Sequence, residues 1–392
     1  MTFEPLASDF YGYENLLADH EKEALATLRS YLETEVKPVV NEHWEAATTP
    51  PGIFKGLADS GVFSFAWDET KPFENSAVFR GFVALELARV DASVATLVGV
   101  QNGLAMGSIS VTGSPDQRAE WLPKMASGEV VGAFGLTEPL SGSDSAQGLR
   151  TTATREGDEW VLNGSKRWIG NATFSDITVI WAKDTADGQV KGFIVPTSTP
   201  GYTASKIEGK QSLRIVQNAD ITLENVRVPE SLRLQQANSF RDTAKVLRLT
   251  RAEVAWAAVG NSVGAYDAAL HYTKERIQFG KPIASHQLIQ DLLVKSIGNI
   301  TASLGMVVRV SQMLDDETQR DEHSALAKAY STARMRETVA WCREALGGNG
   351  IVLEYDVARH FADAEALYSY EGTREMNTLI VGRALTGLAA FV

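Results

Sequence analysis

The strongest constraint on the fold is a change of period that happens twice. Up to about residue 130 the apolar residues recur at helical spacing. From there to about 235 they alternate or gather in short β-branched runs, and from Ser239 the helical spacing returns and stays. In the first part Leu16, Leu17, Leu25, Leu28, Leu32, Val36 and Val39 follow the helical period, and Pro50-Pro51-Gly52 breaks it. A short helix is expected over 53–59. The strongly apolar run from Ala77 to Leu104, with Glu86, Arg89 and Asp91 as its few charges, reads as helix. Its small residues Ala92, Ser93, Ala95, Gly99 and Gly103 leave room for a neighbouring helix or for a ligand, and the residues alone leave both readings open. Ser114-Pro115-Asp116 opens a further helix that runs to Met125.

The middle part starts with an apolar strand, Val131 to Thr137, which enters the loop Glu138-Pro139-Leu140-Ser141-Gly142-Ser143-Asp144. Further β-type runs at 151–155, 159–164, 177–182, 192–196 and 220–226 are separated by Gly, Pro, Asn and Asp, with no long helical pattern between them. They read as a compact antiparallel β-domain, barrel or sandwich. The last part supports helices over 243–275, 285–314, 322–346 and 375–391, and their short connections suggest an antiparallel four-helix bundle. The expected fold is therefore α+β, with an all-α N-terminal domain (1–131), a central β-domain (132–238) and a C-terminal bundle (239–392).

Composition excludes several functions. A net charge of −12 argues against nucleic acid or an anionic membrane as the main partner. No apolar run approaches the ~20 residues that span a bilayer. Met1 to Pro5 lacks the order of a secretory signal, and Leu388 to Val392 is no peroxisomal or ER-retention signal, so a cytoplasmic location is expected. Cys342 is the one cysteine, which rules out an intrachain disulfide and a cysteine zinc site. No HxxxH or HExxH pattern appears, and no metal is expected. A Gly-x-Ser-x-Gly elbow and a dinucleotide GxGxxG are also missing.

Four motifs and a lone glutamate remain. The loop Thr137 to Asp144 offers hydroxyls and free N–H groups that could cradle a phosphate or the polar edge of a flat ligand; a plain surface turn is the competing reading. Lys166-Arg167-Trp168-Ile169-Gly170-Asn171 puts an indole beside a glycine, as a stacking platform or as core. In Glu275 to Pro282, Arg276 could meet a phosphate and Phe279 a heterocycle, or the arginine could simply suit a helix C-terminus. Gly347-Gly348-Asn349-Gly350 ends a long helical segment. Glu371, alone, would read as a solvated charge. Its flanks Tyr368, Tyr370 and Gly372 are unlike a solvated helical face, however, and a carboxylate in an apolar pocket has a raised pKa that suits a general base near neutral pH.

In order, FGLTEPLSGSD (134–144), NGSKRWIGN (163–171), ERIQFGKPI (275–283), ALGGNG (345–350) and YEGT (370–373) resemble the acyl-CoA dehydrogenase and oxidase family of flavoproteins over nearly the whole chain. The stretch from Ser165 to Ala268 is most similar to short-chain acyl-CoA oxidases of plant peroxisomes, and Ser212-Leu213-Arg214 with the YEGT block is similar to glutaryl-CoA dehydrogenases. The resemblance implies FAD between the β-domain and the C-terminal bundle. Phe134, Leu136, Thr137, Gly142 and Ser143 would line it, with Trp168, Ile169 and Gly170 beside its ring and Thr373 and Glu375 near it. Arg276, Gln278, Phe279, Gln287, Glu344, Gly347 and Gly348 would reach the FAD of a neighbouring subunit, which implies a homo-oligomer, in this family usually a tetramer.

Acyl-CoA would meet Ser143, Arg251, Gly372, Ala95 and Gly99. Glu371 matches the family's base, which removes the α-proton of an acyl-CoA while the β-hydride passes to flavin N5, giving a trans-2-enoyl-CoA. In glutaryl-CoA dehydrogenases an arginine and a serine hold the distal carboxylate; the chain has Ala95 and Gly99 there, so glutaryl-CoA is not expected, and the ligand-cavity reading of that helix gains. Gly170 stands where most of the dehydrogenases have a threonine near N5, as in the oxidases. The expected activity is an unbranched short- to medium-chain acyl-CoA dehydrogenase that passes electrons to an electron-transfer flavoprotein. The alternatives are an oxidase that uses O2 and releases H2O2, and a non-catalytic flavin and acyl-CoA scaffold.

Overall fold

The computed structural model describes residues 3–390; residues 1–2 and 391–392, at the ends of the segments read for targeting signals, lie outside it. The N-terminal part consists of α1 (Asp19–Tyr31), α2 (Lys37–Ala46), α3 (Ile53–Asp59), α4 (Ala77–Val90), α5 (Ala92–Val98), α6 (Gly107–Thr112) and α7 (Pro115–Ala126). Local chemistry starts these helices. The Phe79 N–H donates to Ser76 Oγ (3.0 Å) at α4, and the Val94 N–H donates to Asp91 Oδ1 (2.9 Å) at α5. Ser114 and Gln117 form a reciprocal capping box at α7, with Pro115 at its first turn. The apolar run from Ala77 to Leu104 is therefore not one helix. Asp91 adopts extended backbone (φ −161°) and restarts it, and Gly99–Met106 is wound as wider π-helical turns.

The middle part contains β1 (Gly132–Gly135), the short α8 (Ser145–Gly148), β2 (Thr152–Glu156), β3 (Glu159–Ile169), β4 (Ile177–Asp184), β5 (Val190–Pro196), β6 (Tyr202–Lys206) and β7 (Ala219–Pro229). They form one curled sheet in the order β1-β4-β2-β3-β7-β6, with β5 on β4. The sheet is not purely antiparallel as expected, because β1 and β2 both run parallel to β4. The reason is where the chain returns after β3: the Val131 N–H donates to Asp176 Oδ2 and the Asp176 N–H to Val131 O, both at 2.8 Å, so β1 and β4 start from the same end. The sequence pattern also misses β6, whose Thr-Ala-Ser-Lys run is only weakly apolar.

The C-terminal part has α9 (Phe240–Glu275), a hairpin of β8 (Ile277–Gln278) and β9 (Lys281–Pro282), α10 (Gln287–Asp315), α11 (Asp321–Ala345), α12 (Val357–Ser369) and α13 (Arg374–Thr386). The expected four-helix bundle thus has a further helix, α12, packed on α11 and α9. The last helix stops at Thr386 rather than 391, because Gly387 takes a left-handed C-cap (φ +72°).

The two helical parts share one core. Every residue of α4 except Arg80 is buried, and α4 lies against α9 in a cluster that draws on α1 to α5 and α9 to α12. A Cβ on Gly260 of α9 would fall 2.2 Å from Leu85 O of α4, so only glycine permits that approach. A buried polar knot ties the parts together. Arg359 of α12 donates to Asp91 Oδ2 (2.6 Å), while Asp363 Oδ1 accepts from the Trp44 indole (2.9 Å) and from the Leu213 N–H (2.7 Å) of the β part. By length and composition Ala92–Thr112 and Gln287–Asp315 could each cross a bilayer (mean hydropathy 1.3), contrary to expectation. The first packs against β1 and α9, and the second against α4, α9 and α11.

Candidate active site

The loop after α12 carries two successive left-handed residues, Glu371 (φ +54°) and Gly372 (φ +80°). For a residue with a Cβ this conformation costs about 1–2 kcal/mol, so something must hold it. Lys328, fully buried in α11, does so. Its ammonium donates to the carbonyls of Gly372 (2.5 Å), Tyr370 (2.6 Å) and Tyr368 (3.3 Å). Asn377 Nδ2 donates to Gly372 O (2.8 Å), and Thr373 Oγ1 caps α13 by accepting from the Met376 N–H (3.2 Å). Glu371 then reaches α9, where Thr250 Oγ1 donates to its Oε1 at 2.6 Å.

Burial pushes the Glu371 pKa up; the Thr250 hydrogen bond and the charges of Arg251 and Lys328 offset only part of this. Burial likewise brings Lys328 down to about 8. Arg251 has no hydrogen-bond partner among the described residues, which leaves its guanidinium free for a ligand anion.

Beside Thr250 lies a cavity of about 180 Å³ between α4, the π-helical segment and α9, walled by Ala84, Leu87, Val98, Gly103, Thr250, Glu253 and Trp256 among others. Glu253, one turn after Thr250, is pushed up to about 7 by burial and then by the charge of Glu371. Its remaining accessible surface faces the cavity, not bulk water. Gly99 and Gly103 stand opposite: a Cβ would lie 3.5 Å from Glu253 Oε1 at the first and 2.7 Å from Oε2 at the second. Gly99 is thus beside Glu253 but not in the wall of the cavity, and Ala95, half-buried one turn earlier on α5, is not in it either.

A buried ion pair joins the first two motifs. Lys166 Nζ donates to Glu138 Oε1 (2.9 Å), Leu136 O (3.1 Å) and Trp181 O (2.7 Å). Burial lowers Lys166 to about 8 although Glu138 pulls the other way; for Glu138, burial is outweighed by Lys166 and the Thr151 hydrogen bonds, and its pKa falls. The Arg167 N–H donates to Thr137 O at 2.8 Å, so the end of β1 and the end of β3 lie side by side. There Trp168 has φ +66° and an indole 50% exposed, with the Arg167 guanidinium 5.0 Å from its ring. The Thr137 and Ser143 hydroxyls and the Trp168 N–H have no partner among the described residues. An open aromatic face ringed by unpaired donors fits a flat, hydrogen-bonding heterocycle such as a flavin.

Other expected residues are placed differently. Phe134 and Ile169 point into the cores, which leaves only their backbones for a ligand. Gly142 sits on the exposed loop, and Gly170 faces the π-helical segment, where a Cβ would lie 3.1 Å from Val100 Cγ2. Glu375 is exposed and pairs with Arg374 at 3.0 Å. Arg276, Gln278, Phe279, Gln287, Glu344, Gly347 and Gly348 are all exposed and gather at one end of the helices, where Asn349 Nδ2 donates to Tyr272 Oη (2.9 Å) and joins α11 to α9. No hydrogen bond links this group to the Thr137 or Trp168 segments within the chain. Sequence reasoning missed Thr250, Glu253 and Lys328. The available signal was a polar residue at a core position of an otherwise apolar helix face.

The chain matches the family models of the acyl-CoA dehydrogenase N-terminal (18–129), middle (133–226) and C-terminal (240–386) domains. The short-chain specific mitochondrial acyl-CoA dehydrogenase of Mus musculus is 31% identical over 360 residues, 91% of this chain and 87% of that protein. The crystal structure of glutaryl-CoA dehydrogenase from Mycobacterium smegmatis superposes with a TM-score of 0.94 at 37% identity, covering 99% of this chain and 100% of that one. A structure of the glutaryl-CoA dehydrogenase in complex with FADH2 superposes at 0.93, with 36% identity and 98% of both chains. Fold and site define an acyl-thioester oxidoreductase. The chain belongs to the acyl-CoA dehydrogenase family, flavoproteins that act on CH–CH bonds.

Proposed function

We propose that the protein binds FAD and dehydrogenates a short- to medium-chain acyl-CoA to the trans-2-enoyl-CoA, with Glu371 as the base. The observation that carries this is a buried carboxylate of raised pKa, held in a left-handed turn by Lys328 and hydrogen-bonded by Thr250, which lines a mostly apolar cavity. A thioester α-proton is weakly acidic, and a base of raised pKa narrows the gap to it. Glu371 takes the α-proton on its carboxylate. The left-handed turn sets the Tyr370 and Gly372 carbonyls on Lys328 and leaves the Glu371 N–H for the thioester oxygen as negative charge develops. Arg251 would meet an anionic part of the substrate, and the apolar walls exclude water. When bound, FAD supplies the acceptor for the β-hydride.

Leu136, Thr137, Ser143 and Trp168 would hold that FAD. Arg276, Gln278, Phe279, Gln287, Glu344, Gly347 and Gly348 would come from a second copy of the chain, in a tetramer. Ile277, Phe279, Leu288 and Val294 support this, since all are more than half exposed around that end. A cytoplasmic location and an electron-transfer flavoprotein as oxidant complete the proposal. Gly170 favours O2 as a second reading, because it puts no hydroxyl beside the ring.

In the test, purified protein should be yellow and should bleach anaerobically with butyryl- to octanoyl-CoA. Glu371→Gln should bind acyl-CoA without bleaching; retained turnover would place the base elsewhere. Peroxide and an artificial acceptor, followed in parallel, separate dehydrogenase from oxidase.

A further inference from the structure

Glu253 is the carboxylate in the wall of the acyl cavity, and the proposed chemistry leaves it unused. It sits on the face of α9 that carries Thr250, one helical turn further along, about 5 Å. Its carboxylate packs against the π-helical segment, where a Cβ on Gly99 would lie 3.5 Å from Oε1 and a Cβ on Gly103 2.7 Å from Oε2. The two glycines make room for the carboxylate, and its remaining accessible surface lines the cavity. No donor hydrogen-bonds Glu253 and no cation pairs with it among the described residues, while a second carboxylate, Glu371, lies close enough to disfavour its charge. Buried there, the group is held as a carboxylate at neutral pH only by a partner that favours its charge. The described residues supply none, and the exposed part of Glu253 lines the substrate cavity.

We infer that Glu253 is a specificity-determining residue that pairs with a cationic nitrogen, ammonium or guanidinium, at the tail of a short acyl-CoA. This rests on the dehydrogenation reading of the same site. A cation there would pair with a carboxylate that the described residues leave without a partner and that the nearby Glu371 charge further disfavours. The same arrangement repels a dicarboxylate, and Ala95 and Gly99 offer such a tail no cation. One turn between the Thr250 and Glu253 side chains fixes the reach: the nitrogen sits a few carbons beyond the reacting pair.

The experiment compares kcat/KM for anaerobic bleaching with 4-guanidinobutyryl-CoA, hexanoyl-CoA and 5-hydroxypentanoyl-CoA, in the wild type and in Glu253→Gln and Glu253→Leu. FAD content and thermal melting of each variant report folding; if Glu253→Leu does not fold, Glu253→Gln carries the comparison. The wild type should prefer the guanidinium substrate over hexanoyl-CoA by at least about tenfold, and both variants should lose that ratio. An unchanged ratio in the variants, or no preference in the wild type, overturns the inference while leaving dehydrogenation intact. A preference for the hydroxyl substrate replaces the cation with a neutral donor and also overturns it. No bleaching with any of these or with butyryl-CoA sinks the dehydrogenation reading, and this inference with it.

Discussion

Lys328 brings an ammonium group into the packed middle of α11, where its three partners are carbonyl oxygens of the segment that carries the base. Replacing it with methionine keeps the volume and removes the donors. The Tyr368 and Tyr370 carbonyls lose their donor at about 1–3 kcal/mol each. The left-handed turn is left to the Asn377 hydrogen bond on Gly372 and the Thr250 hydrogen bond on Glu371. Lys328→Met should therefore melt at a lower temperature and lose about 100-fold in kcat with a smaller change in KM. Its charge also lowers the Glu371 pKa. Activity needs the ionised carboxylate, so the acid limb of the kcat profile, already above the ordinary carboxylate range, should move to still higher pH in the variant. A limb that stays in place would show that the ammonium does not act on the base. Glu371 was legible in the sequence because its aromatic and glycine flanks suit no solvated face. Lys328 and Glu253 were not, because a single charge on a long helix ordinarily lies in water, and only the loop after α12 and the π-helical wall reveal what each one faces.

The π-helical segment Gly99–Met106 is the element that shapes the cavity. Its wider turns present Gly99 and Gly103 to Glu253 and Thr250, where a Cβ on Gly103 would lie 2.7 Å from Glu253 Oε2 and 3.0 Å from Thr250 Cγ2. Gly103→Val should fill the space beside those side chains and shorten the accepted acyl chain. Across butyryl- to octanoyl-CoA, kcat/KM should fall about tenfold more for the longest substrate than for the shortest; a uniform fall would mean that the cavity does not hold the tail. Apolar spacing marked this run as helix but could not show the restart at Asp91 or the π turns, since an unbroken apolar run gives the same pattern at either pitch. α12 was missed for a related reason: it lies between a glycine run and the YEGT block, both of which read as loop.

At the scale of the whole molecule, the order helices, β, helices was readable from the two changes of period. The shared core of the helical parts was not, because periodicity shows that a face is buried without showing against what. Burial within one chain also leaves the end that carries Phe279, 93% exposed, uncovered. Phe279→Asp combined with Leu288→Asp should dissociate the proposed tetramer and strip FAD from it, as read by light scattering and by the flavin absorbance of the purified protein. A double variant that stays assembled and yellow would place the subunit contact elsewhere.

The packing of α4 against α9 also has a consequence during synthesis. The two helices are about 150 residues apart in sequence, with the whole β part between them. At roughly 5–20 residues per second, α4 leaves the ribosome some 10–30 s before the start of α9 is made. For that interval a helix apolar on nearly every side has only its N-terminal neighbours, α1 and α5, to pack against. The β part, whose inner cluster is its own, can close meanwhile. The nascent chain therefore depends on whatever shields α4 until its second half arrives.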